Sequence, residues 1–248
     1  MDQLHEQQYA LLPSENGDEP SKVVEEVGPR VRESWSFRIA SLILFGLLTL
    51  LIFLAQNIGP NDKKCTKQLN LWSPLLDSVE YYETDFGNEF NSTSIYRGLP
   101  TPEREEAWNK LVTKHAIEVP VDKIHGLNRT EADMMKHVPS DIGTGYIGLV
   151  EVFHQLHCLN MLRVYTWVQA GKYPNPPPML AMSEVQNRMH VDHCIESLRL
   201  VFQCWSDVTP VLIKLGGPVG RKADFNTHHK CRNFDKIEEW IDEKWTVP

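Results

Sequence analysis

The sequence has no excess of positive charge. Its 25 lysines and arginines are outnumbered by 33 aspartates and glutamates, so the net charge is −8. Nucleic-acid binding depends on a cationic surface, and the composition therefore argues against a nucleic-acid partner. The spacing Gly143-x-Gly145-x-x-Gly148 fits a dinucleotide fingerprint, but no strand is predicted before it and no acidic residue follows in context. We interpret these glycines as a flexible lead-in to a helix and predict no nucleotide cofactor.

Cysteine is scarce, and no two cysteines are arranged as Cys-x-x-Cys. That absence argues against a protein-disulfide enzyme. The five cysteines are Cys65, Cys158, Cys194, Cys204 and Cys231. In an oxidising compartment, thiols form disulfides unless they are buried or bind a metal, and an odd number leaves one unpaired.

One long apolar run lies near the N-terminus. Residues 39–55 carry no charge, and the stretch over residues 35–58 exceeds the roughly 20 residues that a helix needs to cross a bilayer. We predict a single membrane-spanning helix there, preceded at residues 1–34 by a polar, disordered cytosolic tail. A cleaved signal peptide is the alternative, but the long polar leader and the lack of a cleavage site favour an anchor.

The orientation of the predicted helix follows from what lies after it. Basic residues flank its two ends in nearly equal number, so they do not decide the orientation. All five cysteines follow the helix, and so do two glycosylation sequons, Asn91-Ser92-Thr93 and Asn128-Arg129-Thr130. Sequons are modified only in a secretory lumen. We therefore predict a lumenal C-terminal domain with glycans on Asn91 and Asn128.

A repeated motif organises the rest of the chain. The first copy reads His154-Gln155-Leu156-His157-Cys158 and the second reads His190-Val191-Asp192-His193-Cys194, so both match His-x-x-His-Cys. Both copies continue to a Leu-Arg pair at the same spacing. On a helix, positions i, i+3 and i+4 share one face. Two such helices side by side would gather four imidazoles and two thiols, which are ligands for zinc, copper, iron or nickel.

We predict a mainly α-helical fold in which a helix–loop–helix hairpin carries both motifs, with few or no short strands. Residues 59–100 are expected to be irregular, with one or two short strands at most, and the main domain spans residues 101–248. The predicted helices start at Thr101-Pro102, span residues 147–169, run from a Ser183/Gln186 capping box through Trp205, and span residues 234–245.

In the first motif helix, the predicted apolar stripe lies nearly opposite the ligand face. The stripe consists of Leu149, Val152, Leu156 and Leu159. Histidines that merely filled a core would lie within that stripe, so the separation favours a ligand role. The competing interpretation is structural: the two motif thiols form a disulfide between the helices, and the histidines only pack or form hydrogen bonds.

The sequence leaves two assignments of the motif cysteines open. In the first, which we favour, a Cys158–Cys194 disulfide joins the helices and the four histidines bind the metal. In the second, both cysteines are thiolate ligands. Cys204 and Cys231 are then a natural disulfide pair, and Cys65 is free or intermolecular.

The types of ligand also restrict which metal ion the predicted site would bind. A structural zinc site usually has closely spaced cysteine pairs, and a zinc hydrolase needs a general-base glutamate near its ligands. An imidazole-rich site in the secretory lumen suits copper, with non-haem iron as the alternative.

The paired motif resembles the UstYa-like family of fungal oxidases, whose signature is two copies of His-x-x-His-Cys. Further likeness lies in Tyr96-x-Gly98-x-Pro100, Trp108, Cys204-x-x-Asp207-x-Thr209 and His229-x-Cys231-Arg232-Asn233-Phe234. The resemblance covers residues 70–245, and a single N-terminal anchor is also typical of the family.

The resemblance implies an oxidase of a fungal secondary-metabolite (mycotoxin) pathway that oxidatively modifies or macrocyclises a ribosomally made peptide. We expect His154, His157, His190 and His193 to bind copper that activates dioxygen, and a second UstYa-like protein is a candidate partner. The alternative is a lumenal metal-binding or scaffold protein that assists another oxidase without catalysis.

Several other residues are candidates for supporting roles, against competing roles in salt bridging, helix capping or core packing. His229 is a candidate further ligand or proton carrier. Glu151 and Asp207 are candidates to orient imidazoles. Tyr165 and Trp205 are candidates to line a substrate groove.

Overall fold

The computed structural model describes residues 35–57, 60–244 and 247. The chain divides into two compact units, residues 1–59 and residues 60–248, and each is described by itself. The tail predicted at residues 1–34 lies outside the described residues, as do Ile58 and Trp245 at the predicted ends of two helices.

The described part of the first unit is one apolar helix, α1, over Trp35–Asn57. Its most apolar window has a mean hydropathy of 2.4, and none of that window is buried. At about 1.5 Å per residue, its 23 residues extend about 34 Å, which matches a hydrocarbon core of about 30 Å. By length and composition, the helix can cross a membrane.

The second unit is mainly helical, as predicted. Its described residues form α2 (Asp62–Leu69), α3 (Pro102–Val112), α4 (Glu151–Gln169), α5 (Glu184–Trp205) and α6 (Phe234–Lys244). Short 3₁₀ helices occupy Val121–Leu127, Glu131–Asp133 and Pro178–Leu180. Short strands form three antiparallel pairs: β1 (Tyr81–Asp85) with β6 (His228–Arg232), β2 (Ile117–Val119) with β3 (Tyr146–Gly148), and β4 (Ile213–Leu215) with β5 (Arg221–Ala223).

Capping residues confirm two predicted helix starts. The Thr101 side chain accepts a hydrogen bond of 3.3 Å from the backbone N–H of Arg104, and Pro102 occupies the first position of α3. Ser183 and Gln186 form a reciprocal capping box at the start of α5. The end of α5 at Trp205 is also as predicted.

The predicted start of the first motif helix is wrong. Residues 146–148 form β3, in which Tyr146 lies opposite Val119 of β2, and α4 begins only at Glu151. The expected short strand within residues 59–100 is present as β1, but α2 was not predicted. That helix is polar and is capped by Asn61, whose side chain accepts a hydrogen bond of 2.9 Å from the N–H of Lys64.

Gly143 and Gly145 do not form a flexible lead-in to a helix. The Glu118 carboxylate accepts hydrogen bonds from the backbone N–H groups of Thr144, at 3.0 Å, and of Gly145, at 2.6 Å. A Cβ on Gly145 would collide with the carbonyl oxygen of Val119. This loop therefore lies against β2 at a distance that only glycine permits.

Helix α4 is buried on two sides, and the predicted single stripe is therefore partly wrong. One cluster, between α4 and α5, contains Cys158, Met161, Val164, Val191, Cys194 and Leu198. A second contains Leu75, Ile117, Phe153 and Ile241, with Val152 and Leu156 packed against it. Leu149 and Leu159 of the predicted stripe are instead exposed, at 67% and 45%.

Candidate metal centre

The four motif histidines meet in two pairs where α4 packs on α5. The ring centroids of His154 and His193 are 6.0 Å apart, and those of His157 and His190 are 5.9 Å apart. The order of the partners is reversed between the helices, so the two helices run antiparallel. The interplanar angles of 33° and 32° give the two pairs nearly the same geometry.

The motif cysteines lie deeper than the imidazoles. Cys158 and Cys194 are completely buried, whereas His193 is exposed and the His154 side chain is 37% exposed. The thiols form the floor of a shallow site, and the imidazoles form its rim. The predicted separation of the histidines from the apolar side of α4 is wrong, because the imidazoles border the buried face of α4 around Cys158.

All five cysteines are free thiols in this structure, so neither the Cys158–Cys194 nor the Cys204–Cys231 disulfide is formed. Burial, together with a hydrogen bond between the two motif thiols, raises the pKa of Cys194 and keeps it neutral. The assignment of both cysteines as thiolate ligands stays a prediction, since a bound metal ion would itself deprotonate a coordinating thiol. The second predicted pair lies in unlike surroundings, with Cys204 exposed in the last turn of α5 and Cys231 half-buried in β6.

Glu151 contacts the first imidazole. One oxygen of its carboxylate lies 3.2 Å from Nδ1 of His154. An ionised carboxylate only accepts hydrogen bonds, so we assign the proton of a neutral His154 to Nδ1 and the lone pair to Nε2. That Nε2 is 3.7 Å from the Sγ atom of Cys158, at the contact between the helices. The contact is compatible with both the orienting and the salt-bridging role expected of Glu151.

The second pair, His157 and His190, is partly buried. Burial, followed by the charges of His190 and His154, lowers the pKa of His157, so its imidazole is neutral at neutral pH. The Nδ1 atom of His190 is buried and has no hydrogen-bond partner among the described residues. Leaving a buried polar nitrogen without a partner costs free energy, and coordination to a metal ion would offset that cost.

The donor set fits a transition metal that prefers imidazole ligands. A metal–nitrogen bond is about 2 Å long, so two rings bound to one ion have centroids about 6 Å apart or less. Both pairs are within that reach. Within the described residues, no three His, Cys, Asp or Glu side chains already surround one point. The site therefore consists of two opposed imidazole pairs above two buried thiols.

His229 and Asp207 lie in a different environment. The Nδ1 atom of His229 is 3.1 Å from the carbonyl oxygen of Thr227, and its Nε2 atom is 3.3 Å from a carboxylate oxygen of Asp207. The His229 ring stacks on Phe86, with the centroids 3.8 Å apart. Both nitrogens of His229 are thus engaged away from the motif pairs, and Asp207 orients His229 instead of a motif histidine.

The other predicted residues are distributed over the domain. Tyr165 packs against the core between α4 and α5, while Trp205 is 57% exposed and lies 4.6 Å from the guanidinium of Arg232. Asn91 and Asn128 are both exposed, so an enzyme that adds glycans can reach them. Their glycosylation stays a prediction.

Sequence reasoning missed the contact that fixes α4 to α3. Arg163 donates hydrogen bonds of 2.7 and 2.8 Å to the two carboxylate oxygens of Glu105, and its guanidinium lies 5.1 Å from the Trp108 ring. Arg163 belongs to the Leu-Arg pair that follows the first motif. The repeat of that pair was the available signal, although it did not identify Glu105 as the partner.

Comparison with known proteins identifies a family whose model matches most of the chain. The model described as "Mycotoxin biosynthesis protein UstYa" matches residues 27–244. The chain is 43% identical over 185 residues to "Transacylase cctO" of Talaromyces islandicus, which covers 72% of this chain but only 62% of that protein. It is 41% identical over 203 residues to "UstYa family oxidase phomYc" of Diaporthe leptostromiformis, covering 80% and 78%. It is 29% identical over 219 residues to "UstYa family oxidase aprY" of Aspergillus flavus, covering 82% and 64%. No solved structure matches the chain.

Proposed function

The chain belongs to the UstYa family, and we propose that it is a membrane-anchored, metal-dependent oxidase of a fungal mycotoxin pathway. Its proposed substrate is a ribosomally made peptide whose side chains it oxidises or joins into a macrocycle. The observation that carries the proposal is the pairing of His154 with His193, and of His157 with His190, across two helices. The relatives named as UstYa family oxidases support the class of reaction.

The four imidazoles are the residues that would hold the metal. Copper suits such a site, with iron as the alternative, and when bound it supplies, with dioxygen, a one-electron oxidant for a tyrosine-like or aliphatic side chain. His157 offers a neutral nitrogen because burial lowers its pKa. Glu151 holds the proton of His154 on Nδ1 and so leaves Nε2 free to bind.

The shape of the site supports a large substrate. Cys158, Cys194 and Val191 close its floor against the core and exclude water from that side. The rim is open, since His193 is exposed and His154 is partly exposed. A side chain of a peptide could approach this rim while the rest of the peptide remains outside. A small molecule would need a deeper cavity to be held with similar contact area.

We also propose a membrane anchor and a lumenal location for this oxidase. Helix α1 would span the bilayer once and hold the second unit on the lumenal side, where the exposed Asn91 and Asn128 could receive glycans. A second UstYa-like protein is the proposed protein partner, because several such proteins are named in one organism, Diaporthe leptostromiformis.

The reaction can be tested with the full-length chain, purified in detergent and loaded with copper or iron. Its substrate would be the precursor peptide encoded beside its gene. We expect oxygen uptake and a peptide product that has lost hydrogen or gained oxygen, detected by mass spectrometry. The double substitution His157→Ala/His193→Ala removes one imidazole from each pair and is expected to abolish turnover.

The matched control is His228→Ala, which removes an exposed histidine of β6 that pairs with Asp85. This variant should keep wild-type activity. Turnover by the double variant, or by protein stripped of metal, would contradict the proposed site. A chain that binds metal but oxidises the peptide only when another oxidase is added would support the scaffold alternative.

The second candidate function is acyl transfer, favoured by the relative named a transacylase and by the 3.7 Å contact between Cys158 Sγ and His154 Nε2. A cysteine nucleophile next to a histidine base is a common acyl-transfer arrangement. Cys158 is completely buried, however, and an acyl donor could not reach it without opening of the two helices. Acyl transfer that is lost in Cys158→Ala would favour this candidate over the oxidase.

A further inference from the structure

A cavity of about 380 Å³ lies between the loop that follows β1 and the β4–β5 hairpin. Its volume is within the range of about 300–1,000 Å³ that sites for small ligands have. The lining comes from two parts of the chain that are far apart in sequence, and includes Glu89, Phe90 and Asn91 from the loop and Pro218, Lys222 and Phe225 from the hairpin and the residues after it. Asn91 is also the first residue of a glycosylation sequon.

A turn places Asn91 at the edge of this cavity. The backbone N–H of Ser92 donates a hydrogen bond of 3.0 Å to the carbonyl oxygen of Glu89. Phe90 and Asn91 are therefore the two central residues of a tight turn. Asn91 and Thr93, the two residues of the sequon that a glycosyltransferase must recognise, are both exposed. The transferase can consequently reach the side-chain amide of Asn91.

Two aromatic rings form an apolar wall next to Asn91. Phe90 precedes Asn91 and is 86% exposed, which is unfavourable in water for so large an apolar side chain. The edge of one ring meets the face of the other where Phe90 contacts Phe225, with centroids 5.3 Å apart and an interplanar angle of 79°. A sugar ring has a face of C–H groups that packs against aromatic rings. The wall therefore suits a carbohydrate attached to the neighbouring asparagine.

Polar side chains complete the lining. The Glu89 carboxylate accepts hydrogen bonds at several positions, and its contact with Nζ of Lys214, at 3.7 Å, is a long one. The Lys222 ammonium group is a donor in the same cavity. The hydroxyl groups of a sugar both donate and accept hydrogen bonds, and the carbonyl of an N-acetyl group accepts them. An apolar wall with one acceptor group and one donor group matches this chemistry.

We propose that the first N-acetylglucosamine of a glycan on Asn91 occupies this cavity, with its ring against Phe90 and its polar groups at Glu89 and Lys222. The transfer that attaches the glycan forms a bond between Nδ2 of Asn91 and C1 of the sugar. It breaks the bond from C1 to the diphosphate of a lipid-linked donor, and the lipid diphosphate and one amide proton leave. The proposal rests on the lumenal location proposed above, but not on the metal centre.

The covalent link favours the chain's own glycan over other occupants. A sugar attached to a residue of the lining is held at a high effective concentration, so even a weak contact keeps the cavity occupied. In the cavity, the sugar would join the loop to the hairpin and reinforce the ion pair between Lys214 and Glu89. Leu215 and Val219 of the same hairpin are 94 and 79% exposed, and a glycan beside them would shield apolar surface. A second copy of the chain is the competing occupant.

The proposal can be tested by hydrogen–deuterium exchange on the full-length chain, produced in a yeast secretory pathway and purified in detergent. Mass spectrometry first establishes which asparagines carry glycans. We expect the backbone amides of residues 219–225 to exchange about fivefold more slowly in the wild type than in Thr93→Ala, the fold-change that one contact with an aromatic ring gives. Thr93→Ala keeps Asn91 but removes the sequon. Trimming the glycan to one N-acetylglucosamine should preserve the difference, and Phe90→Ser should remove it while Asn91 stays glycosylated.

Asn128→Asp is the matched control, because it removes the other sequon and aspartate tolerates the φ of 54° at this position. It should leave the exchange of residues 219–225 unchanged.

Equal exchange in the wild type and in Thr93→Ala, with a glycan on Asn91, would overturn the docking while leaving the lumenal location intact. A glycan on Asn128 alone would do the same. Protection that is lost on trimming to one sugar would overturn the assignment of the cavity to the first sugar, and protection that depends on protein concentration would assign it to a second copy. Absence of glycans from both asparagines would overturn the lumenal location, and the docking with it.

Discussion

Arg163 and Glu105 join α4 to α3 through two parallel hydrogen bonds of 2.7 and 2.8 Å. The Arg163 side chain is only 10% exposed, and its Nε atom also donates a hydrogen bond of 2.8 Å to the side-chain oxygen of Asn160. The equivalent arginine of the second motif, Arg199, pairs with Glu196 and Gln203 of its own helix and is 46% exposed. The two copies of the repeat are therefore alike in sequence but differ in structural role.

This difference can be tested by comparing the stabilities of two variants, one at each arginine. Arg163→Met would remove both hydrogen bonds that the half-buried Glu105 carboxylate accepts from Arg163 and would take the donor away from the buried Asn160 side chain, so we expect a loss of about 1–2 kcal/mol in the free energy of unfolding. Arg199→Met removes a contact at the surface and should cost about 0.5 kcal/mol or less. Chemical unfolding of the full-length chain in detergent would measure both. Equal losses in the two variants would contradict the structural asymmetry.

We also expect the stability of the fold to depend on pH through Glu105. The hydrogen bonds from Arg163 lower the pKa of the Glu105 carboxyl below its ordinary value of 4.5. The unfolded chain then binds this proton more readily, so the contribution is complete above pH 4.5 and is lost as the pH falls through the pKa of the folded state. Thermal unfolding between neutral and acidic pH should show a smaller acid-induced loss in Glu105→Gln than in the wild type. A parallel decline in both would assign the acid sensitivity to other carboxyl groups.

The free thiols predict a pattern of chemical reactivity. In the folded chain, the exposed Cys204 should react first with a thiol reagent, and the buried Cys158 and Cys194 should react only after unfolding. Unfolded without a reductant, the chain should present all five thiols. Peptide mapping after labelling would identify each site. Finding Cys158 linked to Cys194 would instead support the disulfide between the motif helices that the sequence favoured.

The sequence predicted those features of the fold, such as helix starts, that depend on residues close together in the chain. Thr101 and Ser183 cap helices with groups that lie within one turn, so their effect is visible in a short stretch of sequence. The strand at residues 146–148 was missed because its partner, β2, lies far away along the chain. Val152 and Leu156 pack near Ile241, and this second core could not be inferred from the periodicity of α4 alone.

The candidate site, like the fold, could be predicted only in part from the sequence. The spacing His-x-x-His-Cys is sufficient to place the ligands of one copy on one side of a helix. It does not determine that His154 faces His193 or that the cysteines lie beneath the imidazoles. Those features depend on how α4 and α5 are rotated about their axes, and this rotation is set by the packing of Met161, Val164 and Val191.

The central claim is that imidazoles from both motif copies bind the same metal centre. Pulsed electron paramagnetic resonance of the cupric, full-length chain measures the couplings of bound imidazole nitrogens directly. Because His157 and His190 oppose each other across the helices, His157→Ala and His190→Ala should lose nitrogen couplings and give closely similar spectra. The control His228→Ala should retain the wild-type spectrum. Wild-type couplings in either of the first two variants would contradict the claim.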